Sequence, residues 1–167
     1  MYNLLLIPNK EVTSQQLNEI IKIKSKSWPY SFDKQLEWIN SNLKKNDIHV
    51  LLSFDKQIIA YLNLIEIEFS IDGYLKNGYG LGNVCSSEKG KGWGKIIMTQ
   101  INLILKEKNK IGLLFCKKSL VAFYSINNWL LIERKKVTLS FNNESIETMI
   151  FNWNGIFQHL EFLGIPF

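Results

Sequence analysis

The chain has 167 residues, a hydrophobic share of 46% and a formal net charge of +5 at pH 7. This length and composition predict one folded domain over residues 1–167 and exclude a largely disordered chain. The basic residues are scattered in short runs, a pattern typical of a solvated surface, so we expect no nucleic-acid partner. Neither a signal-peptide pattern nor a membrane-length apolar run is present, so we expect a cytoplasmic protein that does not enter a membrane.

The two cysteines, Cys85 and Cys116, lie inside apolar stretches. Neither belongs to a CxxC pair or to a cluster with histidine, so the sequence predicts no metal site. Reduced, buried thiols are the expected state for both side chains.

Apolar periodicity and turn residues predict the elements of the first half of the chain. In chain order these are a strand over Tyr2–Ile7, a helix capped by Ser14 and running to about Trp28, a second helix capped by Ser31 or Asp33, and strands over Ile48–Phe54 and Ile58–Glu68 joined by the turn Asp55-Lys56-Gln57.

The second half begins with a polar stretch that predicts a loop. In chain order the predicted elements are a loop over Ser70–Gly78, a strand over Tyr79–Ser86, a Gly-rich loop, a helix over about Gly92–Lys108, a strand over Ile111–Cys116, a short helix over Leu120–Asn127, and an antiparallel pair over Leu130–Ser140 and Glu147–Trp153 with its turn at Asn142-Asn143. The apolar tail from Gly155 to Phe167 is expected to pack back on the body. This order predicts an α+β protein with a largely antiparallel sheet.

The most informative segment is the Gly-rich loop, which follows a predicted strand and opens a predicted helix. It reads Lys89-Gly90-Lys91-Gly92-Trp93-Gly94-Lys95. Glycines permit close backbone approach, and the first N–H groups of a helix attract anions, so the loop predicts a phosphate or pyrophosphate site. The spacing fits neither a P-loop, which needs Ser or Thr after Gly-Lys, nor the G-x-G-x-x-G dinucleotide fingerprint.

With Val84 ahead of it, this loop resembles the central motif of the GNAT N-acetyltransferase superfamily. Lys89 stands where that family usually has Arg or Gln, which keeps the charge but loses the planar fork. The later pairs Phe123-Tyr124 and Asn128-Trp129 also resemble family positions, the second where Gly-Phe is common. The resemblance covers nearly the whole chain in element order.

The resemblance implies a mostly antiparallel, twisted sheet with a splayed strand pair and flanking helices. It implies acetyl-CoA as co-substrate, with pantetheine along the backbone of Asn83, Val84 and Cys85. Backbone groups from Gly90 to Lys95, with the charge of Lys89, would hold the pyrophosphate. An amine would attack the thioester directly, without an acyl-enzyme, so Cys85 is not expected to be a nucleophile.

Tyr124 falls where many family members place the general acid for the departing thiolate; the alternative is a plain core aromatic beside Phe123. For the general base the first candidate is Glu66 and the second Glu68, two positions apart on one strand and therefore on one face. The alternative for both is a solvent-facing strand carboxylate with no catalytic part.

The expected acceptor is a primary amine of a small molecule, and the apolar tail favours this by closing one end of the domain. Alternatives are a protein or peptide N-acetyltransferase and a non-catalytic CoA-binding module. The segments around His49 and Tyr124 also resemble the aminoglycoside 2′-N-acetyltransferase branch, but Gly80 stands where that branch carries a Glu. The tail aromatics Phe157, Phe162 and Phe167, with Trp153, pack inside or form the face of a homodimer.

Overall fold

The structure is a computed structural model that describes residues 1–141 and 144–167, so the predicted turn at Asn142-Asn143 lies outside the described residues. The contacts of the backbone group the chain into two units. Unit 1 comprises Met1–Ile65 and Gly82–Met98, and unit 2 comprises Glu66–Leu81 and Thr99–Phe167.

The chain forms helices and strands in mixed order, as the sequence predicts. The helices are α1 (Ser14–Ser27), α2 (Phe32–Asn42), α3 (Trp93–Glu107) and α4 (Val121–Ile126). The strands are β1 (Tyr2–Pro8), β2 (Ile48–Phe54), β3 (Gln57–Ile71), β4 (Tyr74–Ser86), β5 (Ile111–Lys117), β6 (Leu130–Ile132), β7 (Val137–Leu139), β8 (Ile146–Phe151) and β9 (Leu160–Phe162).

The strands form one sheet in the order β1-β2-β3-β4-β5-β8-β6, with β9 paired to β3 and to β7. Pairing is antiparallel at β1–β2, β2–β3, β5–β8, β6–β8 and β3–β9. It is parallel at β7–β9 and at β4–β5, where the register covers Gly78–Gly80 against Ile111–Leu113. Strand β4 continues beyond that register to Ser86. The predicted α+β class with a mostly antiparallel sheet is therefore confirmed.

In unit 1, α1 begins at a capping box. The Thr13 hydroxyl accepts a hydrogen bond from the Gln16 amide, and the Gln16 side chain accepts one from the Thr13 backbone N–H. The cap is thus Thr13, and the prediction of Ser14 was one residue late; a reciprocal pair with Gln16 satisfies two orphan donors at once. The predicted cap of α2 at Ser31 is confirmed.

The prediction of a loop over Ser70–Gly78 was wrong. Strand β3 continues to Ile71, β4 starts at Tyr74, and only Asp72-Gly73 turns between them. Both turn residues have positive φ, +49° and +79°, as a tight two-residue hairpin requires. The Asp72 carboxylate also accepts hydrogen bonds from the backbone N–H groups of residues 158 and 159, which fixes the turn.

The predicted C-terminal pair is correct only at its start. Strand β6 pairs antiparallel with β8, but after Ile132 the chain leaves the sheet in a short 3₁₀ turn over Arg134–Lys136. The Arg134 guanidinium binds the Glu147 carboxylate at 2.8 Å, so the charged run ends the strand. Residues Val137–Leu139 then pair in parallel with β9 rather than with β8.

The tail packs back on unit 2, as expected. Strand β9 pairs with the end of β3, and Leu160 and Phe162 are buried. The ring of Phe167 lies 4.9 Å from that of Phe115, centroid to centroid. Trp153 and Phe157 contact each other edge to face, with centroids 6.1 Å apart.

Candidate active site

The Gly-rich loop lies in unit 1 between the end of β4 and the start of α3. Gly90 and Gly92 have φ of +79° and +77°, in the left-handed region that side chains disfavour. A Cβ at either position would meet no atom within 4 Å, so the backbone here borders open space. Helix α3 begins directly afterwards, and the first turn of a helix leaves N–H groups without intrahelical acceptors. The predicted glycine turn into a helix start is therefore present, and anion binding by this loop stays a prediction.

The charge around this loop is positive and solvent-facing. Lys89, Lys91 and Lys95 are all exposed. Lys91 makes a loose ion pair with Glu88, with Nζ and the carboxylate oxygen 4.0 Å apart, and such an exposed pair contributes little. Positive charge is therefore concentrated around the start of α3.

The backbone that the sequence assigns to pantetheine departs from a regular strand at Asn83. Its φ is +53°, a left-handed conformation inside β4 that is typical of a bulge. The Asn83 side chain donates a hydrogen bond to the Asn63 side-chain oxygen at 2.8 Å, which holds the irregular residue in place. Val84 is half-buried and Cys85 is buried.

Tyr124 lies in unit 2 on the short helix α4, buried with 6% of its surface exposed. Its ring contacts that of Phe123 edge to face, and its carbonyl accepts hydrogen bonds from the Asn127 and Trp129 amides. Asn128 has φ +66°, a left-handed conformation that Gly takes freely and that Asn tolerates better than most residues. The acid role of Tyr124 stays a prediction.

The two candidate bases share one face of β3, as predicted. Glu66 and Glu68 are exposed and alternate with the buried side chains of Ile65, Ile67 and Phe69. Both carboxylates therefore reach solvent, and a base role for either stays a prediction.

Gly80 has a structural reason to lack a side chain. A Cβ at this position would overlap the ring of Phe167, which packs directly on the β4 backbone. A glutamate here, as in the aminoglycoside branch, would displace the end of the chain.

Sequence reasoning missed a buried polar cluster in unit 1, between α1 and the sheet. Lys24 is only 2% exposed, and its ammonium lies 4.2 Å from the centroid of the Trp38 ring. The His49 ring bonds the Tyr61 hydroxyl at 2.8 Å and the Asn9 side-chain oxygen at 3.0 Å. The sequence signal was Lys24 itself, a charged residue at an apolar position of an amphipathic helix.

Burial sets the protonation of this cluster. It lowers the Lys24 pKa to about 8, partly offset by Cys85. Burial, and next the positive charge of Lys24, lower the His49 pKa to about 4, so that ring is neutral at pH 7. Burial raises the Cys85 pKa to about 12. The thiol is then protonated at neutral pH, which makes Cys85 a poor nucleophile, in line with a direct mechanism.

Within residues 1–141 and 144–167, no three His, Cys, Asp or Glu side chains are grouped so that they could hold a metal ion. Over the same ranges, no helix has both the length and the apolar character needed to span a bilayer.

Comparison with known proteins shows the fold. A scan of protein-family models gives no match, and a search of curated proteins gives no relative. Among solved structures, the chain is similar to the Escherichia coli GNAT family N-acetyltransferase YhbS in complex with CoA, with a TM-score of 0.67, 12% identity, and coverage of 98% of this chain and 91% of that one.

Two further structures agree. Escherichia coli ElaA gives a TM-score of 0.62 at 15% identity, and the match covers 90% of this chain and 99% of ElaA. The Campylobacter jejuni N-acetyltransferase PseH in complex with acetyl coenzyme A gives a TM-score of 0.57 at 16% identity, and the match covers 89% of this chain and 98% of PseH. The chain therefore has the fold of GNAT acetyltransferases. The likeness to the aminoglycoside branch stays a prediction.

The unpaired ammonium of Lys24 predicts a measurable cost to stability. Lowering its pKa from 10.5 to about 8 corresponds to roughly 3 kcal/mol lost in keeping this buried group charged. The variant Lys24→Met keeps the length and removes the charge, so we expect a higher free energy of unfolding at pH 7, measured by urea titration.

The pH dependence has a definite sign. Below about pH 8 the amine is charged in both the folded and the unfolded chain, so the full cost is present. Between pH 8 and 10.5 the folded chain releases the Lys24 proton first, so the cost that this one group imposes on the parent falls as the pH rises. The advantage of Lys24→Met should therefore shrink over that range. Lys22→Met, at an exposed position of the same helix, should match the parent throughout; a stability difference between Lys24→Met and the parent that stays constant from pH 8 to 10.5 contradicts the assignment.

Proposed function

We propose that the protein is an acetyl-CoA-dependent N-acetyltransferase that moves the acetyl group to a primary amine of a small molecule by direct attack. The observation that carries this proposal is the loop between β4 and α3, with Gly90 and Gly92 left-handed beside open space. The fold is shared with N-acetyltransferases, one in complex with CoA and one with acetyl coenzyme A, which supports acetyl-CoA as the ligand of this loop.

The proposed cofactor contacts all involve residues of unit 1. Backbone N–H groups from Gly90 to Lys95 bind the pyrophosphate at the positive end of α3, with Lys89 and Lys91 adding charge. The Trp93 and Gly94 amides belong to the first turn of that helix. The pantetheine arm pairs with the β4 backbone over Asn83, Val84 and Cys85, where the left-handed Asn83 interrupts the extended conformation.

The chemical step is an aminolysis. The neutral amine nitrogen attacks the thioester carbonyl carbon, forming a C–N bond and a negatively charged oxygen that backbone N–H donors stabilise. The C–S bond then breaks, and the CoA thiolate leaves with a proton from the Tyr124 hydroxyl. A phenol is protonated at neutral pH and can donate. Glu66, or else Glu68, accepts the proton that the amine loses.

The tail supports a small acceptor over a protein or peptide. Strand β9 occupies the edge of β3 at Ser70 and Ile71, and the Phe167 ring covers Gly80 on β4. This part of unit 2 therefore offers no free strand edge to an extended peptide among the residues described.

The left-handed glycine at position 92 predicts the first test. In Gly92→Val the free loop relaxes away from φ +77°, and restoring that conformation on binding costs about 1–3 kcal/mol. We expect acetyl-CoA affinity in calorimetry to fall by roughly 10- to 100-fold. Gly94→Val should also weaken binding, because a side chain would stand at the helix start.

Gly73 supplies the control. It has nearly the same φ, +79°, and the same open surroundings, but it lies in the β3–β4 hairpin turn. Gly73→Val should lose stability yet keep parental affinity. Parental affinity in Gly92→Val would remove the loop from the cofactor site.

Tyr124→Phe tests the proposed role of Tyr124 as the general acid that protonates the departing CoA thiolate. Loss of a general acid costs about 100-fold or more in turnover, while acetyl-CoA affinity should be unchanged because the ring stays in place. Thiol release measured at saturating acetyl-CoA reports the effect. Tyr74→Phe, at an exposed position of β4, is the matched control, and equal turnover by Tyr124→Phe and Tyr74→Phe would exclude Tyr124 from the mechanism.

A further inference from the structure

Lys24 is a buried cation without a buried anion. It lies on the core side of α1 among apolar neighbours, beside Ile20, Ile21 and Ile23. Among the described residues, none of the ion pairs includes Lys24. The π-face of Trp38 stabilises an ammonium by about 0.5–2 kcal/mol, which is less than the cost of burying an unpaired charge. The charge therefore lacks the compensation that buried charges normally have.

Asn63 provides a second unmet donor in the same unit. Its side chain is fully buried, and its oxygen accepts the hydrogen bond from Asn83. The amide nitrogen, Nδ2, is buried with no acceptor in the described structure. An unsatisfied buried donor of this kind costs about 1–3 kcal/mol and calls for a specific explanation.

Both donors belong to unit 1, and His49 is the residue that links them. Asn63 pairs with His49 across β2 and β3, and the charge of Lys24 acts on the His49 ring. Lys24 and Cys85 also influence each other electrostatically, and Cys85 lies two positions after Asn83, the partner of Asn63. The ammonium and the amide therefore belong to one polar cluster between α1 and the sheet.

We infer that Lys24 and Asn63 bind a carboxylate group carried by the amine that accepts the acetyl group, an inference that rests on the proposed acetyl transfer. The Lys24 ammonium binds one carboxylate oxygen, and Nδ2 of Asn63 donates a hydrogen bond to the carboxylate. Amino acids and related amino carboxylates are the acceptor class with this chemistry.

Charge balance selects a carboxylate over other anions. One ammonium neutralises a single negative charge, and a buried dianion such as phosphate would leave an uncompensated charge. His49 adds none, since its ring is neutral at pH 7. A carboxylate also presents two oxygens, which matches one cation and one amide donor.

The position of the cluster fits a role in acceptor binding. Asn83 and Cys85 belong both to this cluster and to the stretch of β4 assigned to pantetheine. An amine whose carboxylate is held between Lys24 and Asn63 would thus be held beside that strand. The charge pair would orient the acceptor, and no covalent change occurs at Lys24.

The test uses melting temperatures of the CoA-loaded protein with L-amino acids and, as matched probes, their carboxamides, at constant ionic strength. We expect a further rise in melting temperature with one or more amino acids and none with the corresponding amides. Lys24→Met should abolish that rise, and Lys22→Met should keep it. In acetyl-transfer assays, the acid-to-amide ratio of kcat/KM should fall about 30-fold or more in Lys24→Met, since removing one partner of a buried charge pair is costly.

Asn63→Asp is a second variant, which separates loss of the carboxylate site from a change in core packing. It is nearly isosteric, can still accept the hydrogen bond from Asn83, and places an internal carboxylate within the cluster that contains Lys24. It should keep the CoA-dependent rise and lose the amino-acid-dependent rise. Equal responses to acids and amides, or none to either, overturn the carboxylate site while a CoA-dependent rise leaves the proposed transferase intact. Absence of the CoA-dependent rise itself would instead count against the proposed function.

Discussion

The left-handed backbone at Gly90 and Gly92 constrains everything that follows in the candidate site. These two residues turn the chain between the end of β4 and the start of α3, they border open space, and the helix then begins at Trp93. A strand that runs directly into a helix N-terminus brings a line of backbone groups and a positive helix end together. That arrangement suits a ligand with an amide-bearing arm and a pyrophosphate, and the flanking lysines add attraction to a polyanion.

A second constraint is the group of buried polar side chains in unit 1. Apolar side chains at these positions would cost less free energy to bury. His49, Tyr61, Asn63 and Asn83 satisfy one another in part, and Lys24 is left with an aromatic face as its main compensation. Native chains retain such costs mainly where they serve a function. An acceptor that brings a negative charge into this group would offset the cost and gain specificity from it, because an amine without that charge leaves the cluster unsatisfied.

The sequence predicted most of the fold because strong local signals agreed with the final structure. The apolar periodicity of α1 and α3, the capping of α2 at Ser31 and the Gly-rich loop all act over a few residues. The failures are of another kind. The Asp72-Gly73 turn was overlooked because nearby polar residues resembled a loop, although an Asp-Gly pair is itself a hairpin signal. The parallel pairing of β7 with β9 joins distant segments, and no local pattern encodes it. For the site, the motif identified the loop, whereas the Lys24 cluster depends on the packing of five elements, α1, α2, β2, β3 and β4, which no local sequence pattern encodes.

The central claim is that the loop after β4 binds acetyl-CoA, and a melting curve with and without saturating acetyl-CoA tests it most directly. At about 100 times the dissociation constant the ligand adds roughly 2.7 kcal/mol of stability. For a chain of this size that predicts an upward shift on the order of 5–10 °C. A shift of this kind that ATP does not reproduce is the predicted result. An unchanged melting temperature would contradict the account and would mean that the exposed lysines and left-handed glycines of this loop serve another purpose.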